Sequence, residues 1–140
     1  MIQINIVKQS NYPVSSVKVR NFLKKFFAEH GIVSDAEVTV SFVGEKEMLR
    51  IGKKYYTKDL PAQAGTKLHN VFSFVESEVS TQGGPAFGWK NNSRINLGET
   101  VVCFPVALAE AKKENKLIEE KVLELVGHSG LHLLGIHHKE

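Results

Sequence analysis

The apolar rhythm of this chain changes period several times, and that alternation limits the folds open to it more than any other feature. Ile2, Ile4 and Ile6 alternate with polar neighbours, the period of a half-buried strand. Pro13 and Ser15-Ser16 then open a helix, in which Val19, Phe22, Leu23, Phe26 and Phe27 recur at helical spacing until His30-Gly31. Residues 36–43 (AEVTVSFV) return to strand period, and Gly44 breaks them off. A short helix follows with Met48, Ile51 and Tyr55 on one face. Residues 57–67, with Pro61 and Gly65, read as a loop, and His69–Val75 as a third strand. Residues 80–94 are polar and glycine-rich and predict a long connection, of the kind that is usually functional or disordered.

Residues 95–103 give a fourth strand. Pro105 suits the first position of a helix reaching about Lys113. Asn115 is expected to cap the last helix, from about Lys116 to Leu134, and Gly135 to end it in a left-handed turn. Mixed strands with helices on one side predict an α+β layer. No repeat, low-complexity tract or second domain interrupts the pattern, so residues 1–140 are expected to form one domain.

The last predicted helix carries the chemistry. Of six histidines in the chain, His128 and His132 fall in its closing turns and His137 and His138 just beyond its end. Ile118, Val122, Leu125 and His132 lie near one stripe, which predicts that the histidines extend the inward edge of the helix. His128 and His132 are one turn apart and can face a common atom. A reversal at Gly135 can bring His138 back to them. Three neutral imidazoles make a site for one Zn²⁺ per chain and leave a coordination position open; nickel, copper or cobalt would also suit them. A lone histidine on an apolar face is more often a satisfied core residue, but the full H-x-x-x-H-x-x-G-x-x-H spacing favours a metal. His137 is the spare: an alternative third ligand, a supporting contact, or a solvent-facing residue. The spacing is also close to the metallopeptidase pattern H-E-x-x-H-x-x-G-x-x-H, whose Glu is the general base. That position is Ser129 here, which argues against peptide hydrolysis.

Charge and cysteine usage narrow the setting. The net charge is only +3, so it does not by itself announce a nucleic-acid binder. The cations are unevenly spread, however: Arg50, Lys53, Lys54, Lys58 and Lys67 are close in sequence, and Lys90 and Arg94 follow. Cys103 is the only cysteine, which excludes an internal disulfide or a cysteine metal cage and favours a reducing, cytoplasmic location. The N-terminal MIQINIVKQS lacks the pattern of a signal peptide, and no apolar run is long enough to span a bilayer, so no membrane association is expected.

The segment H-S-G-L-H-L-L-G-I-H-H resembles the C-terminal H-G-x-L-H-L-x-G-Y-D-H pattern of the YbeY family of rRNA maturation factors. The three histidines, Leu131, Leu133 and Gly135 match, while Ser129, Ile136 and His137 replace Gly, Tyr and Asp. Asn70-Val71-Phe72-Ser73-Phe74 resembles the family's T-D-V-L-S-F strand. Residues 97–103 resemble its L-G-D-I-x-I-x strand, and Tyr55-Tyr56-Thr57-Lys58-Asp59 its Y-R-x-K-D segment.

The resemblance implies a four-stranded mixed sheet packed with helices. It also implies a zinc-type site held by His128, His132 and His138, in a cleft lined by basic residues. The activity implied is a metal-dependent endoribonuclease acting on single-stranded rRNA, in ribosome maturation and quality control, with the small ribosomal subunit or its proteins as partners. The family arginine that serves substrate phosphate aligns with Tyr56, so no catalytic arginine is carried over. Arg50, Lys58 and Tyr56 are the candidates for the work beside the metal, with Lys54 also able to supply charge. Lys53, Lys67, Lys90 and Arg94 would add affinity for RNA. Tyr56, Phe87 and Trp89 are available for base stacking, while Tyr55 fits better in the core. Ser73 either touches substrate or bonds its neighbours, and Cys103 is expected to be a buried small residue. The competing readings are a non-catalytic ribosome-associated RNA-binding factor with a structural metal and, last, a metallopeptidase.

Overall fold

A computed structural model of the chain describes residues 2–56, 68–75 and 95–135, without the side chains of Tyr55 and Tyr56. Four strands form one sheet: β1 (Ile2–Lys8), β2 (Ala36–Val43), β3 (Val71–Val75) and β4 (Ile95–Cys103). Their spatial order is β1-β2-β4-β3. β1, β2 and β4 run parallel, and β3 runs antiparallel at the edge. The helices described are α1 (Ser16–Glu29), α2 (Glu45–Tyr56), α3 (Phe104–Glu114) and α4 (Ile118–Leu133). The mixed sheet and α+β class are as expected. None of the described helices is long and apolar enough to cross a membrane.

Alternation within the strands gives the sheet two different faces. Ile2, Ile4, Val38, Val40, Phe42 and Val102 point to the face covered by α1 and α4. α1 supplies Val19, Leu23 and Phe27 there, and α4 supplies Val122, Leu125, Val126 and Leu133. The expectation of helices on one side only is corrected by the other face. There Phe72, Val101 and Cys103 form a second, smaller core with Met48 and Ile51 of α2. β4 is buried at successive positions from Thr100 to Cys103, the mark of a strand covered on both faces. β2 is not: its second face carries Thr39 and Ser41, and the Ser41 hydroxyl donates to Glu99 at 3.0 Å. α2 therefore covers only part of that face.

The helix ends follow local chemistry, with one correction. Ser15 caps α1, its hydroxyl accepting from the Lys18 N–H at 3.1 Å. Asn115 does not open the last helix. It closes α3 in a left-handed conformation (φ 59°), and its N–H returns to the carbonyls of Ala111 and Lys112. Asn tolerates that conformation better than most residues, so it serves a C-terminus as readily as an N-terminus. α4 starts instead after Leu117, whose N–H is bound by the Glu120 carboxylate at 3.0 Å. Phe104 precedes Pro105 as the first residue of α3. The third strand is shorter than expected, because His69 and Asn70 lie before it.

Candidate metal centre

α4 turns its residues in a definite order toward the sheet. Val122, Val126, Ser129 and Leu133 are buried, whereas His128 is exposed and His132 half-buried. The histidines thus do not extend the inward edge of the helix, as its stripe suggested. They stand one step round the helix, on the side facing β3. An imidazole held dry in the core could not exchange ligands, whereas one on a cleft wall can.

That cleft has a volume of about 640 Å³. Asn70, Val71, Phe72, Ser73 and Val75 line one side, and Lys121, Glu124, Leu125, His128 and His132 of α4 line the other. The Nε2 atoms of His128 and His132 are 3.1 Å apart, and the rings meet edge to face at 4.7 Å. Two nitrogens each about 2.0–2.1 Å from one tetrahedral ion stand roughly 3.3 Å apart, so the pair fits a shared divalent metal. Among the described residues no group of three metal-binding side chains is assembled. His138 and the spare His137 lie outside the described residues. Gly135, at φ 81°, makes the expected left-handed exit from α4.

The other sequence candidates divide. Arg50 lies on α2, which packs against the opposite face of the sheet, and it pairs with Glu47 at 2.9 Å. The Arg50 guanidinium holds the Glu47 carboxyl below its usual range. The structure therefore does not bring Arg50 to the histidines. Lys53 and Lys54 are exposed on the same helix. Tyr56 ends α2, and its side chain lies outside the described residues, as do Lys58, Lys67, Phe87, Trp89, Lys90 and Arg94. Cys103 is fully buried, and burial pushes its thiol pKa up.

Two polar features of the cleft were not anticipated. The first surrounds Lys121, only 4% exposed, whose ammonium lies 3.0 Å from Glu114, 3.4 Å from Glu124 and 3.5 Å from Glu110. Asn70 also donates to Glu110 at 3.0 Å, tying the start of β3 to α3. Burial alone would lower the Lys121 pKa, but Glu114, Glu124 and Glu110 together outweigh it and leave it raised. Lys116 holds Glu124 below its usual range with help from Lys121, and Lys121 does the same for Glu114. A lysine at a position flanked by Ile118, Val122 and Leu125, with Glu124 three residues on, was the available signal. The described part of the cleft is accordingly not basic, because its buried cation is matched by carboxylates.

The pH dependence of this network has a definite sign. The two carboxyls have lowered folded pKa values, so their stabilisation is present above the unfolded value of about 4.3 and is lost as pH falls through the folded values. Lys121 is raised, so its contribution is present below about 10.4 and is lost only as pH rises through the folded value. Lys121→Met should keep stability at pH 7 within about 1 kcal/mol, since only the lysine is buried and the carboxylates it leaves behind are part-exposed, with Glu114 and Glu124 still paired to Lys116. It should also flatten the loss of stability between about pH 5 and 3. Urea midpoints across that range decide it; an acid limb as steep as in wild type would count against the network.

The second feature is a chain of hydroxyls. Ser73 Oγ lies 2.6 Å from Ser129 Oγ, which lies 2.7 Å from Thr100 Oγ1. Ser129 is completely buried and Thr100 is 2% exposed. Position 129, where metallopeptidases carry their general-base Glu, is thus sealed between α4 and the sheet and can offer no base to the cleft.

Comparison with known proteins adds to this geometry. A family model described as endoribonuclease YbeY matches residues 4–140. A Francisella philomiragia protein named endoribonuclease YbeY is 29% identical over 98% of this chain and 78% of its own length. Proteins of the same name from Azoarcus and Macrococcus caseolyticus are 33% and 34% identical over 81% and 79% of the chain. The chain spans 40% of the Azoarcus relative and 64% of the Macrococcus one. A Thermotoga maritima protein of known solution structure shares the fold, with a TM-score of 0.53 at 23% identity, over 99% of this chain and 75% of that one.

Proposed function

The chain belongs to the endoribonuclease YbeY family, and on that footing we propose that it is a metal-dependent endoribonuclease that cuts single-stranded RNA in rRNA maturation and ribosome quality control. The observation that carries this reading is the pair of imidazole nitrogens 3.1 Å apart on the wall of an open cleft. His128 and His132 would hold one zinc ion together with His138. Zinc, when bound, supplies Lewis acidity at neutral pH.

The protein's own groups do the rest. The pair presents its Nε2 atoms to each other at 3.1 Å on the cleft wall, where one ion could take both. The cleft between β3 and α4 offers the apolar side chains of Val71, Val75 and Leu125 among its polar groups, against which bases can lie. Lys121 is matched by three carboxylates. The charge that meets the RNA backbone is therefore assigned to Lys58, Lys67, Lys90 and Arg94, and Tyr56 is the residue that aligns with the family arginine. The ribosomal small subunit or its proteins would deliver the rRNA, and the cytoplasm is the expected location.

The test compares zinc-loaded and chelator-stripped protein on a single-stranded rRNA fragment. Cleavage that disappears on stripping and returns with zinc supports the reading. RNA binding without cleavage in either state would instead favour a ribosome-associated binding factor with a structural metal.

A further inference from the structure

The hydroxyl chain at the base of the cleft has only one arrangement of protons that leaves no buried group unsatisfied. Three hydroxyls share two contacts, Thr100 to Ser129 and Ser129 to Ser73. Thr100 and Ser129 are both sealed from water, and their hydroxyls make these contacts alone among the described residues. Were Ser129 to donate to Thr100, the Thr100 proton would be left buried without an acceptor, at the full cost of its desolvation. Thr100 must therefore donate to Ser129, and Ser129 to Ser73. Ser73 accepts, and its own proton is left over. Ser73 lines the same cleft as His128 and His132, so that proton is available to an acceptor there.

The backbone of Ser73 adds a second donor. The Cys103 N–H donates to the Asn70 carbonyl at 2.9 Å, which makes residues 70, 72 and 74 the ones that bond β4. The N–H groups of Val71, Ser73 and Val75 are then directed away from β4, since β3 is the outermost described strand. Hydroxyls and backbone N–H groups are common ligands for the non-bridging oxygens of a nucleic-acid backbone.

Resting on the nuclease reading above, we propose that Ser73 is a phosphate-contacting residue: it donates from its hydroxyl to a non-bridging oxygen of the RNA strand held beside the histidine pair. Ser129 and Thr100 are positioning residues that fix the direction of that donation. Donation from an aimed hydroxyl to a charged oxygen gains because the donor is already oriented before the strand arrives. It also supplies a neutral contact in a cleft whose described cation is already matched.

The experiment measures binding and cleavage of one short single-stranded RNA by wild type, Ser73→Ala and Ser73→Thr, each with its zinc content and thermal midpoint. Ser73→Ala should weaken RNA binding, or kcat/KM for cleavage, roughly 10- to 100-fold, with zinc content retained. Ser73→Thr, which restores the hydroxyl, should recover most of the loss. A phosphorothioate at the scissile position supplies a readout that a merely structural role would not move. Sulfur accepts hydrogen bonds poorly, so its penalty should be smaller in Ser73→Ala than in wild type. If wild type cleaves and Ser73→Ala binds and cleaves equally well, the Ser73 contact is overturned and the nuclease reading stands. If wild type binds without cleaving while Ser73→Ala still weakens binding, the contact stands and the nuclease reading falls. If wild type neither binds nor cleaves, both fall.

Discussion

Replacing His132 with alanine is expected to lower zinc affinity by more than about 100-fold and to abolish RNA cleavage at ordinary zinc concentrations. The reason is the placement of the pair. Nε2 of His132 faces Nε2 of His128 at 3.1 Å, so removing one ring leaves the proposed ion two imidazoles at most. Loss of a supporting contact around a metal already costs about 10- to 100-fold, and a direct ligand should cost more. The fold should tolerate the change, because His132 lines an open cleft and the buried face of α4 belongs to Val122, Val126, Ser129 and Leu133. A thermal midpoint close to wild type would therefore accompany the loss. His128→Ala should behave alike, while His137→Ala should keep both zinc and cleavage. Zinc titration followed by the cleavage assay checks all three. A His132→Ala protein that binds zinc with unchanged affinity would remove the basis of the proposed centre.

The largest expected effect on stability lies away from the histidines, at Gly98. This residue sits in β4 at φ 127°, a conformation that residues with a Cβ rarely adopt. A methyl group there would meet the Phe74 carbonyl oxygen at 2.1 Å and the Leu133 side chain at 3.0 Å. The first obstacle is backbone and cannot swing aside. Glycine is needed because the β2–β4 register slips here: Glu37 faces Asn96, but Val38 faces Gly98, leaving Leu97 as an extra residue. Gly98→Ala should cost about 3–5 kcal/mol, combining backbone strain with the clash. Gly135→Ala makes the comparison, since it has φ 81° but nothing within 4 Å of the added methyl, and should cost only about 1–2 kcal/mol. Urea denaturation measures both. Equal losses at the two positions would show that close packing at Gly98 contributes nothing beyond its backbone angle. Because Leu133 follows His132 directly, the clash would also press on the turn of α4 that carries the site.

Phosphate charge and substrate path were the least legible parts of the site. Arg50 and Lys54 looked like replacements for the missing family arginine because they lie near Tyr56 in sequence. Met48 and Ile51 bury α2 on the far face of the sheet, and Arg50 goes with it. Lys121, on α4, is the buried cation of the cleft wall instead. Proximity along the chain says which residues share a helix, not which face of the sheet that helix will choose.

What the sequence determined by itself follows from short-range physics. Period-two and period-3.6 patterns set the existence and order of the elements, because side-chain direction repeats along a single strand or helix. The i, i+4 spacing of His128 and His132 set their convergence for the same reason, and Gly135 marked the end of the helix. Only the tertiary structure decided the rest: that α2 crosses to the second face, that Asn115 ends one helix instead of starting the next, and that the histidines line a cleft wall. It alone joined Ser73, Ser129 and Thr100 into a single hydroxyl chain. Those outcomes depend on contacts between residues far apart in the chain, and a hydroxyl finds its partner there only after the core has chosen which surfaces meet.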